Sequence, residues 1–212
     1  SERPALIEAF TTGQDIHRAV AAEVFHVAPN DVTAEQRGSA KMINFGIVYG
    51  ITPYGLARRV EGLDVDAARE MIDRYRAKFA GIDTFLSACV EYAKTHGHVT
   101  TILGRRRAIP QIEARNPQQR ALGERLAINT VVQGSAADLI KLAMVNLHRK
   151  LIEQASPARL LLQIHDELVL ETPEDAASAT ADVLRHEMES AMSLKVPLEV
   201  ELGVGASWYE TK

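Results

Sequence analysis

Arg37, Lys41, Phe45 and Tyr49 recur every fourth residue, and side chains four apart on an α-helix share one face. Read as a helix, the stretch R-G-S-A-K-M-I-N-F-G-I-V-Y-G carries two cations and then two aromatics in a stripe ~18 Å long. A cationic end can hold a polyphosphate, and aromatic faces offer stacking surface to a base or sugar. Thr33 and Gln36 form the T-x-x-Q capping box that starts such a helix. Spacing alone favours a plainer reading, in which the charges are solvated and the aromatics turn into the core. A second row, Arg125, Asn129 and Gln133, also falls at steps of four. All three side chains donate hydrogen bonds, and every Watson–Crick pair presents acceptors in its minor groove, so such a row can check pair geometry without reading sequence. The third feature is L-L-L-Q-I-H-D-E-L-V-L-E-T. Two apolar strands flank a very short turn at His165 and Asp166, whose side chains project from a hairpin tip.

The residues themselves carry a resemblance. K-x-x-x-F-G-x-x-Y-G preceded by Arg37, matched through Asn44, Gly46 and Gly50, resembles the fingers motif of the family A DNA polymerases, the bacterial polymerase I type. The resemblance implies that Arg37, Lys41, Phe45 and Tyr49 bind the incoming deoxynucleotide, with Lys41 acting in catalysis. It also places His17, in the triplet D-I-H, near the nucleotide's phosphates. The stretch R-L-A-I-N-T-V-V-Q-G-S-A-A-D-L-I-K resembles the region that contacts template and primer, which implies DNA contacts for Arg125, Asn129 and Gln133. Q-I-H-D-E-L-V-L-E resembles the palm motif. There Asp166 is implied as the ligand of the catalytic metal, Glu167 as an auxiliary carboxylate, and Gln163 and His165 as contacts near the primer end. One departure stands out: Gly38 occupies the place of a second Arg, lowering helix propensity by ~1 kcal/mol relative to Ala.

The resemblance extends to the closing S-W-Y-E-T-K, with the two motifs far more specific than the connecting helices. It implies template-directed DNA synthesis in replication or repair, with primer–template DNA and dNTP as partners. Mg²⁺ is the implied cofactor, in a two-ion mechanism. The family's other metal-binding carboxylate lies in D-Y-S-Q-I-E-L-R, a string not found in this chain. The expectation is a C-terminal polymerase fragment: residues 1–132 mainly fingers, 133–212 part of the palm, with the upstream palm strand, thumb and any exonuclease domain absent. Such a chain needs the N-terminal part of the polymerase as a partner and alone extends no primer. Two alternatives are a noncatalytic DNA-binding or assembly fragment, and a phage-type single-subunit RNA polymerase.

The elements that must position these residues read as helix-dominated α+β. Short helices are expected over S-E-R-P-A-L-I-E-A-F and D-I-H-R-A-V-A-A-E-V-F, and a third in I-T-P-Y-G-L-A-R-R-V. An amphipathic helix follows with Ala68, Ile72, Tyr75 and Phe79 on one side, stopping at Gly81, and the next runs from Ile82 to about His96. A hairpin is expected over Val99–Ile109. Two helical segments follow, 118–132 and 135–151, joined or bent at Gly134. A helix over 174–192 and a strand in P-L-E-V-E-L-G-V-G close the chain. The 212 residues carry a formal charge of −4, which argues against nonspecific adhesion to DNA, although Arg105, Arg106 and Arg107 are consecutive. No apolar run approaches the ~20 residues of a membrane span, no secretory signal opens the chain, and Cys89 is the sole cysteine. These features fit a cytoplasmic protein.

Overall fold

The computed structural model describes residues 7, 15–25, 27–60, 62–78 and 80–211. The helix expected over residues 1–10 lies almost wholly outside them, as does Phe79. Among the described residues the fold is helix-dominated α+β with two small antiparallel sheets. It divides into two compact units, residues 1–100 with 106–131, and residues 101–105 with 132–212.

In the first unit, α1 (Ile16–Val24) starts at Asp15, whose carboxylate accepts from Arg18 N. Helix α2 (Ala34–Val48) starts with the expected capping box: Thr33 Oγ1 accepts from Gln36 N, and Gln36 Oε1 accepts from Thr33 N. Its inner face, Ala40, Ile43 and Ile47, packs with Val20 and Ala21 of α1, Leu56 of α3 (Pro53–Ala57), and Ala68, Met71, Ile72 and Tyr75 of α4 (Val65–Lys78). The C-terminus of α2 is a Schellman motif: Gly50 takes φ +76°, its N–H reaches Ile47 O, and Ile51 N reaches Gly46 O. The Ile51 side chain then lies on Gly46, where an added Cβ would sit 3.2 Å from it. That packing and the positive φ account for both glycines of the F-G-x-x-Y-G string.

Helix α5 (Ala80–His96) begins two residues after α4 ends. Gly81 therefore lies in the first turn of α5 instead of terminating α4, and it is not among the glycines with positive φ that a stop requires. The stop after α5 is Gly97, at φ +69°. The expected hairpin follows as β1 (His98–Thr100) and β2 (Arg106–Ala108), with His98 opposite Ala108. Val99, Ile109 and Ile112 close a second core against Ala93 and Ala127.

The two helical segments expected around Gly134 are joined there, as one of the two expected forms, into a single helix, α6 (Pro117–Glu153), of 37 residues. One interior glycine costs only ~1 kcal/mol, too little to break a helix packed along much of its length. Asn116 caps it, and Pro117 fills its first position, where no N–H is needed. Gly123 is required: a Cβ there would lie 2.7 Å from Ile112 N.

The second unit holds β3 (Arg159–Ile164), β4 (Glu167–Glu171) and α7 (Ala177–Glu189). Leu160, Leu168 and Leu170 pack with Leu147 and Leu151 of α6 and with Val183 and Leu184 of α7. The ladder pairs Leu160 with Leu170 but Leu162 with Val169, so Leu161 is the extra residue of a β-bulge. The strand expected over 197–205 is not one, because no described segment pairs with it. Its apolar alternation is real, since Leu198, Val200 and Leu202 are half-buried between exposed neighbours. A ladder needs a partner, however, and Val200 N instead donates to Glu189 Oε1.

Candidate functional site

The outward face of α2 carries the stripe. Arg37 and Lys41 are exposed, Phe45 is 48% exposed, and Tyr49 is half-buried. The aromatics are therefore not core residues; α2 buries its other face. The Phe45 and Tyr49 rings lie nearly parallel, 6° apart, with centroids at 6.4 Å, and form a continuous π surface beside the cations. Lys41 makes no ion pair with a described residue. Arg37 Nε donates to Asp15 Oδ2 at 2.5 Å, which uses one edge of the guanidinium and leaves its terminal nitrogens for another acceptor. Burial of Asp15 works against its charge, but hydrogen bonds from Arg37 and from Arg18 N hold the carboxyl below its ordinary value.

His17, on α1, faces the same stripe with its ring centroid 6.1 Å from that of Phe45. Its Nδ1 lies 2.9 Å from Asn44 Nδ2. Partial burial, helped by the charges of Arg37 and Lys41 and opposed by Asp15, lowers its pKa from 6.5. The ring is neutral at pH 7.

On α6 the polar row is present as spaced, with Arg125 and Gln133 exposed and Asn129 half-buried. Asn129 Oδ1 is buried without a donor among the described residues. The Arg125 stem passes 3.8 Å from where a Cβ on Gly50 would sit, so this arginine stands beside the end of α2.

In the second unit, His165 and Asp166 form the two-residue tip between β3 and β4. The left-handed residue is His165, at φ +54°, not Asp166 as the usual turn preference of Asp suggests. Gln163 Nε2 donates to His165 O at 2.6 Å and braces the turn. Asp166 and Glu167 are exposed, and no described residue bonds to the Asp166 carboxylate. Glu167 is the first residue of β4, opposite Ile164. Among the described residues no three His, Cys, Asp or Glu side chains gather into a metal cage. Free hard-oxygen donors on an open tip do fit Mg²⁺, which is bound through one or two carboxylates plus phosphates and water.

Reading by motif misses Asp138, within A-A-D-L-I on α6. Its side chain is 1% exposed. It accepts from Thr101 Oγ1 and, at 3.1 Å, from Arg105 Nε, while Ser135 Oγ accepts from Ile102 N. These bonds tie down the tip of the β1–β2 hairpin. A carboxylate within an apolar helical run is the signal that could have flagged it. The Thr101 bond, opposed by burial and assisted by Arg105, holds the Asp138 carboxyl below 3.8. A depressed carboxyl stabilises the fold above its unfolded pKa, and the effect is lost as pH falls through the folded value. Asp138→Asn is therefore expected to melt several degrees lower than the native chain at pH 7, with the gap shrinking as pH drops below 3.8; thermal unfolding across a pH series measures it.

The family model described as DNA polymerase family A matches residues 1–210. DNA polymerase I of Geobacillus stearothermophilus is 48% identical over all 212 residues, and that of Bacillus subtilis is 47% identical over 207, or 98% of the chain. The chain spans about a quarter of the length of these relatives, 24% and 23%. Among solved structures, the POL domain of Pol1 from M. smegmatis, in complex with DNA primer-template and dNTP, superposes with a TM-score of 0.93. It is 39% identical, and the match covers 98% of this chain and 36% of that one. No described helix is long and apolar enough to cross a membrane. With its two motifs standing on outward surfaces of a fold shared along its length, the chain belongs to DNA polymerase family A.

Proposed function

We propose that this chain supplies the dNTP-binding helix and one catalytic carboxylate for template-directed DNA synthesis. The observation that carries the reading is the outward stripe of α2: Arg37, Lys41, Phe45 and Tyr49 face away from the core. In this reading the first unit is mainly fingers and the second is part of the palm. Lys41, His17 and the free edge of Arg37 hold the triphosphate, while Phe45 and Tyr49 stack against sugar and base. Arg125, Asn129 and Gln133 donate to minor-groove acceptors of the nascent pairs. Asp166, with Glu167 beside it, binds the metal together with a second carboxylate outside this chain, and Gln163 and His165 lie by the primer end.

In the reaction the primer 3′-hydroxyl oxygen gives up its proton to solvent water and bonds to the α-phosphorus, and the bond to the bridging oxygen of the pyrophosphate leaving group breaks. Negative charge accumulates on that leaving group, and Lys41 and Arg37 are placed to neutralise it as it develops. Mg²⁺, when bound by Asp166, supplies charge stabilisation for the attacking and leaving oxygens.

The test is primer extension with Mg²⁺, dNTPs and a primed template, using the chain with and without a polypeptide carrying the D-Y-S-Q-I-E-L-R strand. Metal-dependent extension is expected only from the combination. Extension by the chain alone, abolished by Asp166→Ala, overturns the account of the second carboxylate; template binding without extension in every mixture favours a DNA-binding fragment. The same assay reads sugar selection. A phenolic hydroxyl on the stripe can replace the bond that a missing 3′-hydroxyl makes within the bound nucleotide, whereas Phe45 cannot. Phe45→Tyr is expected to relax discrimination against dideoxynucleotides by about ten- to a hundredfold, the worth of one hydrogen bond to a charged group. Equal chain termination by both versions refutes it.

A further inference from the structure

Asn44 is the polar residue on the buried face of α2. It is 7% exposed, among Ala40, Ile43 and Ile47, where an apolar side chain would pack without leaving a polar atom unmet. Its Oδ1 is buried with no donor among the described residues, a cost that an aliphatic residue avoids. The other end of the amide reaches across to α1, with Nδ2 placed 2.9 Å from His17 Nδ1. An amide N–H can only donate, so His17 Nδ1 must accept and the ring proton must sit on Nε2.

We propose that Asn44 is a positioning residue: its buried amide locks His17 in the tautomer that carries its proton on Nε2. The inference rests on the reading of the α2 stripe as a nucleotide site, where Nε2–H is the atom offered to a phosphate oxygen. Asn44 precedes Phe45, so one turn of α2 both presents the stacking ring and orients the histidine beside it. The charged groups that face His17 are Asp15, Arg37 and Lys41. Two of these three are cations, and they oppose a second ring proton. The Asp15–Arg37 pair ties the same two helices together two turns earlier on α2. Without Asn44 no described hydrogen bond fixes the neutral tautomer, and rings protonated on Nδ1 would turn a bare nitrogen toward an anionic ligand.

The experiment is ¹⁵N-edited imidazole spectroscopy of the ¹⁵N-histidine-labelled 212-residue chain, with His17 assigned through His17→Gln. In the native chain, Nδ1 is expected to be unprotonated and Nε2 protonated at pH 7. A proton on Nδ1 overturns the proposal without any variant. Asn44→Asp keeps the shape but accepts instead of donating, so it is expected to move the proton to Nδ1 and raise the His17 pKa by about one unit or more. Asn44→Leu is expected to give a mixture of tautomers while the other six histidines keep their native signals. A His17 spectrum unchanged in both variants overturns the proposal. Titration with tripolyphosphate and with dNTP then tests the site separately. A shift confined to Nε2 supports the proposal in full. The expected tautomer with no shift from either ligand upholds the Asn44–His17 pairing and overturns the nucleotide role that gives it its purpose.

Discussion

In the combination of this chain with a polypeptide carrying the D-Y-S-Q-I-E-L-R strand, Asp166→Ala is expected to abolish metal-dependent primer extension while leaving the fold intact. The residue stands at the exposed tip of the β3–β4 hairpin, with no bond from a described residue and no positive φ to support. Removing its carboxylate should therefore change stability by no more than about 0.5 kcal/mol, as at other featureless surface positions. Catalysis is another matter, because the charge stabilisation contributed through a bound metal is worth several kcal/mol. A fall of about a thousandfold or more is expected in single-turnover incorporation, with an unchanged melting curve. Asp166→Asn should be nearly as inactive, because it keeps the size and loses the charge. Incorporation within tenfold of native by either variant would remove Asp166 from the metal site.

In the same combination, Lys41→Ala is expected to slow incorporation by about thirty- to a thousandfold, about 2–4 kcal/mol of transition-state stabilisation by analogy with loss of an oxyanion donor. Lys41 is exposed and unpaired among the described residues, so it spends nothing on the fold. Its partner on the stripe differs, since Arg37 is already held by Asp15. The loss at Lys41 should fall mainly on the rate at saturating nucleotide, because charge builds on the leaving phosphates only as the bond breaks. An equal affinity loss with an unchanged maximal rate would mean that Lys41 merely binds the ground state.

Local rules made much of this legible from sequence. Thr33 and Gln36 announced the start of α2 because a capping box closes within four residues. The four-residue spacing put Arg37, Lys41, Phe45 and Tyr49 on one face but could not say whether that face was inside; burial of Ile43 and Ile47 against α1 and α4 decided it. What stayed hidden depends on distant partners. Asn44 meets His17 across 27 residues, and Asp138 meets Thr101 across 37. Neither spacing has a local signature. The misreadings have the same origin: Gly81 looks like a helix stop until the start of α5 takes it in, and residues 197–205 alternate like a strand without a described strand to join.

The bulge at Leu161 puts the two halves of β3 in opposite phase. Leu160 shares a face with Leu168 and Leu170, but Leu162, two positions on, lies opposite Val169 on the other face. Counting by twos from the base of the hairpin therefore misjudges every side chain beyond the bulge. The tip tolerates changes of identity at the exposed Leu161 far better than changes of length: one residue added or removed between the bulge and Asp166 would exchange inside for outside along that stretch. The orientation of the carboxylate is thus a matter of counting residues rather than of local chemistry, and the spacing between positions 161 and 166 is the quantity that any redesign of this hairpin must preserve.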